Sequence, residues 1–221
     1  EGTKLSWRFS PLEALGRWPN DRGVLLLHSG RADSQWSRHT ILTSATGAYC
    51  YAAGQGDHGR GTWLGDPAEC PGRHVEWSHS PLRDLERVFD ALWVGYLSYD
   101  LGRYIEKLPS VAADDRGWPI VQMHRCPGWL VHDNTTGQWT ACGTWQAGVD
   151  AGMPDLTAEP IKQSNFRADE PMPCVTRGEH EAAVAKAIDY IAAGDVFQVN
   201  MTQRFTAPCG GDPRALYNTL A

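Results

Sequence analysis

The chain has 221 residues, of which 42% are hydrophobic and 21% charged. These are the proportions of a globular protein and argue against a wholly disordered one. Twenty basic residues against 26 acidic ones leave a net charge of −6, which argues against a nucleic-acid reader. The longest apolar stretch, residues 91–97, is far below the roughly 18 residues that a membrane helix needs. Neither nucleic acid nor a membrane is expected as a partner. No basic-then-apolar leader opens the chain, so a cytoplasmic location is expected. Cys50, Cys70, Cys126, Cys142, Cys174 and Cys209 form no C-x-x-C pair and no metal knuckle. A chain of this length builds a core without staples, so free thiols are expected over three disulfides.

Ser10-Pro11-Leu12-Glu13 predicts a short helix: Ser10 caps it, Pro11 suits its first turn and Gly16 ends it. Residues 24–27, Val-Leu-Leu-Leu, read as a buried strand closed by His28-Ser29-Gly30. Residues 41–46 and 48–53 read as strands around Gly47. Ser80-Pro81 opens a second helix, with Leu82, Leu85, Val88 and Phe89 on one face. Residues 93–99 read as a strand. Residues 129–133 and 138–142 form a hairpin around Asn134-Thr135-Thr136-Gly137.

Composition then changes. Residues 146–173 carry Pro154, Pro160, Pro171 and Pro173 and no periodicity, which predicts a linker or a long surface loop. Thr176-Arg177-Gly178-Glu179 fits a capping box. Val184, Ile188 and Ile191 follow at helical spacing, and Gly194 supplies a left-handed end. Residues 196–205 alternate as a strand does. Phe197, Val199, Met201 and Phe205 fall on one face, Gln198, Asn200, Thr202 and Arg204 on the other. Asp212-Pro213 opens a further helix that is still running at Ala221. The expected organisation is a first domain over 1–145, a linker over 146–175 and the start of a second domain over 176–221. One helix, one strand and part of a helix cannot close a core, so the chain is read as the front part of a longer protein.

Few motifs carry chemistry. Gly54-Gln55-Gly56-Asp57-His58-Gly59 matches G-x-G-x-x-G, whose phosphate-binding form needs a strand before it and a helix after it. Residues 60–67 read as turn chemistry, so an inter-strand loop is expected instead. Asn134-Thr135-Thr136 and Asn200-Met201-Thr202 match the glycosylation sequon by chance spacing. No G-x-S-x-G, S-x-x-K or H-E-x-x-H is present, and no catalytic or metal-binding residue is assigned. Two features remain. The turn from His28 to His39 could offer Arg38 to a carboxylate, Ser29 to an amine and Trp36 to a ring. The polar face of residues 198–204 either lines a cleft or faces water.

At these residues the chain resembles a known family. Val24-Leu-Leu-Leu-His-Ser-Gly30 with Ser37-Arg38 and Ile41 is similar to the N-terminal effector-pocket region of aminodeoxychorismate synthase component I. Val94-Gly-Tyr-Leu-Ser-Tyr-Asp-Leu-Gly102, with Glu106 and Leu108-Pro109, resembles a second block of that family. Ala193-Gly-Asp-Val-Phe-Gln-Val-Asn-Met-Thr-Gln-Arg-Phe205 resembles the block that opens its chorismate-binding domain. Anthranilate synthase component I belongs to the same wider family and typically has Leu-Leu-Glu-Ser in the first block. Leu26-Leu27-His28-Ser29 and Gln198-Val199-Asn200 favour the aminodeoxychorismate branch. Anthranilate synthase, and a non-catalytic tryptophan-binding or partner-binding module, stay open as alternatives.

The resemblance implies an α+β fold of two packed antiparallel β-sheets flanked by helices, incomplete in this chain. It implies conversion of chorismate and ammonia to 4-amino-4-deoxychorismate for folate synthesis, with magnesium as cofactor. A glutamine amidotransferase subunit or domain would supply the ammonia. The family's active-site lysine and magnesium-holding glutamates lie beyond the last block, so this length alone is not expected to be active. By position, the residues matching the family's tryptophan pocket are Ser29, Trp36, Ser37, Arg38 and His39, and His39 replaces the usual apolar aromatic.

Overall fold

The computed structural model describes residues 2–30, 36–54, 59–70, 80–88, 91–109, 113–161 and 165–221, with residues 87–88 by backbone only. The chain divides into two compact units, Glu1–Ile161 and Lys162–Ala221.

Among the described residues of the first unit, nine strands form two antiparallel sheets. One has the order β1 (Thr3–Leu5), β9 (Gln138–Gly143), β8 (Gly128–Asp133), β3 (His39–Thr43), β2 (Leu25–Leu27). The other has the order β5 (Gly59–Gly65), β4 (Gly47–Ala53), β7 (Val121–Cys126), β6 (Leu92–Leu97). A two-stranded ribbon passes through both sheets. β3 pairs with β8 in the first, and their continuations β4 and β7 pair in the second. The ribbon breaks at residues 44–46 and at Pro127, which has no N–H to give a ladder. Thr43 Oγ1 donates to the Gly128 carbonyl at 2.7 Å across this corner. The expected α+β architecture is therefore formed: antiparallel sheets flanked by a few helices.

Each sheet has its own core. Leu42, Leu130 and Trp139 of the first pack with Ala14 and Trp18 from helix α1 (Pro11–Arg17) and its end. Ser10 and Glu13 cap α1 reciprocally, as the sequence predicts: Glu13 N donates to Ser10 Oγ at 3.2 Å, Ser10 N to Glu13 Oε2 at 2.7 Å. The segment read as linker or surface loop contributes to this core through Met153 and Leu156, both buried. It is strapped down by Arg22, which donates to the Gly152 carbonyl at 2.6 Å, and by Arg17, which donates to the Ala158 carbonyl at 2.6 Å. The first compact unit accordingly runs to Ile161.

The second sheet packs Tyr49, Tyr51 and Val121 against Leu85 of helix α2 (Pro81–Val88). The buried face of α2 is not the one expected. Leu82 is exposed, whereas Pro81, Asp84 and Leu85 are buried at i, i+3 and i+4. The acid turns inward because Tyr49 OH donates to Asp84 Oδ2 at 2.7 Å. Burial, reinforced by that carboxylate, raises the Tyr49 phenol far above its ordinary range. Phe89, the fourth residue of the expected face, lies outside the described residues, as do residues 55–58 of the glycine-rich motif.

Residues 59–65 are a strand, not the expected turn. The glycines are there for close approach: a Cβ on Gly61 would stand 2.9 Å from Asp84 Oδ2 and 3.0 Å from Tyr49 OH. Gly59 thus opens a strand where a phosphate-binding loop would open a helix, which removes the dinucleotide reading. In β6, a Cβ on Gly95 would collide with the Gln122 carbonyl, so the block Val94-Gly95-Tyr96 needs glycine for strand packing.

The second unit is a broken hairpin with two helices. β10 (Arg167–Ala168) pairs with β13 (Cys209–Gly210), and β11 (Met172–Pro173) pairs with β12 (Phe205–Thr206). The capping box of α3 (Arg177–Ala193) forms at Thr176 and Glu179, and Gly194 closes the helix at φ 81°. Asp212 caps α4 (Pro213–Leu220). The expected strand over 196–205 is realised only at Phe205–Thr206. Alternation marks two faces but does not supply a partner, and among the described residues no strand pairs with 196–204. All six cysteines are free.

Candidate functional site

The candidate site lies at one end of the first sheet. β3 pairs on one side with β2 (Leu27 opposite Ile41) and on the other with β8 (His39 opposite Asp133). That register brings the turn after β2 beside the tip of the β8–β9 hairpin. Gly137, at φ 71°, gives this tip its left-handed residue, and its N–H donates to the Asp133 carbonyl at 2.8 Å.

Asn134 joins the two turns. Its Nδ2 donates to the carbonyls of Ser29 at 3.0 Å and Ser37 at 3.3 Å. Its backbone N–H donates to the Arg38 carbonyl at 2.8 Å. His132 Nδ1 lies 2.7 Å from Asn134 Oδ1, so the ring carries its proton on Nδ1. Buried Thr40 completes the network: its Oγ1 donates to Asn134 Oδ1 at 3.2 Å and accepts from Ser29 N at 3.3 Å. A half-buried polar cluster satisfied in this way rigidifies its surroundings. Asn134, His132 and Thr40 were not among the expected site residues. The sequon and the turn preference were the only local signals at Asn134, whereas its partners Ser29, Ser37 and Thr40 stand 94–105 positions away.

The five expected site residues divide. Ser29, Ser37 and Arg38 are brought together through Asn134. Trp36 is 88% exposed and presents its ring to solvent. His39 is exposed on β3, while its neighbour Thr40 is buried. With Lys4, Val131, Asp133 and Gln138 it lines a shallow groove. Arg38 is already engaged: its Nε and Nη2 donate to Asp133 Oδ2 at 2.9 and 2.7 Å. This guanidinium, with the Thr135 hydroxyl and the N–H groups of Thr135 and Thr136, holds the Asp133 carboxyl well below the usual carboxylate range. Among the described residues, the other terminal nitrogen of Arg38, Nη1, has no acceptor.

The polar residues of 196–204 do not line a strand. Gln198 Nε2 donates to Asn200 Oδ1 at 3.3 Å, both exposed. Among the described residues no three His, Cys, Asp or Glu side chains converge to hold a metal. The described residues therefore do not fit a magnesium site, and no chemical step is assigned through that ion. Among them, too, no helix is long and apolar enough to cross a membrane.

An antiparallel α+β unit with a pinned polar turn at one sheet end is the frame, and comparison with known proteins supplies its class. The chorismate binding enzyme family profile matches residues 32–221. The chain belongs to that family. It is 33% identical to anthranilate synthase component 1 of Thermus thermophilus, over 67% of this chain and 37% of that protein. It is 31% identical to the chloroplastic anthranilate synthase alpha subunit 1 of Arabidopsis thaliana, over 70% of this chain and 31% of that one. Anthranilate synthase component I of Streptococcus pneumoniae has the same fold: TM-score 0.53 at 19% identity, covering all of this chain and 52% of that one. The chain spans about a third of the length of the curated relatives it matches, 37% and 31%.

Proposed function

We propose that the whole protein is the component I of an enzyme that aminates chorismate, on the aminodeoxychorismate branch. The reading rests on the family match together with the three sequence blocks in order, and its branch rests on His28 and on Gln198-Val199-Asn200. In Leu26-Leu27-His28-Ser29 this histidine takes the place of the glutamate typical of feedback-regulated anthranilate synthases. The reaction replaces the 4-hydroxyl of chorismate with ammonia delivered by a glutamine amidotransferase, and the hydroxyl leaves as water. A second reading, anthranilate synthase, is favoured by the names of the relatives above. Incubating the whole protein with chorismate, ammonium and magnesium separates the two. Aminodeoxychorismate without pyruvate supports the first; anthranilate with stoichiometric pyruvate replaces it with the second.

The turn at the end of the first sheet is proposed as the seat of a tryptophan effector, with Ser29, Trp36, Ser37, Arg38 and His39 around it. Asn134 presets the two serines, and Arg38 reaches a ligand carboxylate through Nη1 while its other nitrogens stay on Asp133. A ligand held by one charge-assisted hydrogen bond is worth about 1.5–3 kcal/mol at that contact. Calorimetric titration should therefore show Arg38→Ala weakening tryptophan by about tenfold or more. Equal binding by both forms removes Arg38 from the site.

A further inference from the structure

The second sequence block, residues 94–109, folds beside a concavity of about 560 Å³, within the range of small-molecule sites. Tyr96 near the end of β6, Ser98 just after it and Ile120 just before β7 line one part of it. The turn at Tyr99–Tyr104 and residues 114–119 contribute further lining.

The charges lining it are unequal. Arg103, Lys107 and Arg116 face Asp100 and Asp114, in a chain whose net charge is −6. Arg103 is paired with Asp100 at 3.1 Å. Asp114 Oδ1 accepts the N–H groups of Arg116 at 3.2 Å and Gly117 at 2.9 Å. The Arg116 guanidinium lies over the Trp118 ring, 5.2 Å from its centroid. Lys107 has no carboxylate partner among the described residues.

The apolar lining is aromatic and open. Trp118 is 64% exposed and Tyr96 37% exposed. Exposed aromatic rings beside a cation that has no carboxylate partner among the described residues make a surface suited to a ligand. Within this lining, Ser98 Oγ is shut off from solvent and has no hydrogen-bond partner among the described residues. A buried hydroxyl without a partner calls for one. Turning Ser98 about χ1 toward the cavity breaks no hydrogen bond, so it serves as an adjustable donor.

We infer that this concavity binds a small carboxylate carried on a planar ring. Lys107 takes the carboxylate as a point charge, Trp118 and Tyr96 take the ring, and Ser98 donates to a ring substituent or carboxylate oxygen. The inference does not rest on the chorismate reading. Its failure would leave that reading unchanged, and the reverse holds too.

The test is ligand-observed NMR titration of the whole protein with three probes: benzoate, cyclohexanecarboxylate and inorganic phosphate. Benzoate should bind at least fivefold more tightly than either of the others. Lys107→Met, which keeps the stem and removes the charge, should weaken benzoate about tenfold, and Trp118→Ala about fivefold. Both side chains are largely in solvent, and an unchanged far-UV spectrum confirms the fold; Ser98→Ala, a one-atom deletion, gives a third variant expected to lose about threefold. Absence of benzoate binding, equal binding of cyclohexanecarboxylate or phosphate, or wild-type affinity in Lys107→Met would each overturn the site.

Discussion

The two units of this chain hold their secondary structure by different means. In the first, Trp18, Trp139, Tyr49 and Tyr51 are fully buried, and each sheet closes over its own apolar cluster. In the second, no described side chain is buried, and Phe197 is 93% exposed. Yet the helices of the second unit are as well capped as those of the first, by Thr176 with Glu179 and by Asp212. Local hydrogen bonds therefore suffice to define a helix's ends, while a strand needs a neighbour. That is why α3 and α4 form where the sequence predicts and the strand at 196–204 does not.

The largest effect should come from the first core. Leu130 is fully buried on β8 among Leu42, Trp139 and Leu156. Leu130→Ala should cost about 2–5 kcal/mol, the transfer term plus the cavity it leaves. Urea unfolding followed by tryptophan fluorescence measures it. A loss under about 1 kcal/mol would mean that the first unit is not built on this cluster.

Next comes the Tyr49–Asp84 pair beneath the second sheet. Tyr49→Phe strips Asp84 of its hydroxyl donor and should cost about 1–3 kcal/mol. Alkali gives the sign. Burial raises Tyr49 above the ordinary range and Tyr51 to about 12. Below about pH 10, the unfolded phenol value, their contribution is fully present. As pH rises beyond it, the unfolded chain gives up protons that the folded chain keeps, and stability falls. Denaturant midpoints between pH 9 and 11.5 should decline in wild type and decline less in Tyr49→Phe. Parallel curves would place the titrating group elsewhere.

Most of the first unit was legible because its strands carry their own pattern. β2, β4, β6 and the β8–β9 hairpin lie where apolar runs and the Asn-Thr-Thr-Gly turn put them, whereas β3 starts two residues before the expected 41–46 and ends at Thr43, because residues 44–46 form the break between the sheets. β5 was not legible, because glycine reads as turn unless the ring and carboxylate above Gly61 are known. β7 was not, because Val121 and Cys126 are buried with four half-buried residues between them, which is no clean alternation. Asp84 misled for a related reason: an acid on a helix reads as the outer face until Tyr49 is seen opposite. The candidate site was legible as to its turn residues and illegible as to its organiser. Nothing local to Asn134 reveals that it holds Ser29 and Ser37.

A smaller effect is expected at that turn. Arg38 is about half exposed, 52%, and Asp133 15% by side chain. Solvent screening limits the pair, so Arg38→Ala should cost only about 0.5–1 kcal/mol at neutral pH. Asp133 is held below its ordinary range, so its contribution is present above about pH 4. It is lost as pH falls through the lower folded-state value. Acid unfolding should therefore separate the two proteins at neutral pH and bring them together at low pH. A difference that persists undiminished at pH 2 would show that Arg38 acts through packing instead of through Asp133.

The smallest effect is expected in α3, and it tests the comparison most directly. Ile188 lies mid-helix and is 58% exposed. Its truncation to alanine removes little buried area. Fully burying such a side chain is worth about 1.5–3 kcal/mol, and less than half of Ile188 is covered. Alanine also returns helix propensity, since β-branched side chains lose χ1 freedom against the preceding turn, a gain of a few tenths of a kcal/mol. The two terms oppose each other, so Ile188→Ala should lie within about 0.5–1 kcal/mol of wild type. Measured on the whole protein by the same urea unfolding, a value in that range confirms that α3 stands on its caps. A loss above about 2 kcal/mol requires that Ile188 be buried in the protein, because no exposed isoleucine yields so much. The unit would then owe its stability to an apolar surface laid over α3, and its difference from the first unit would be one of completeness, not of construction.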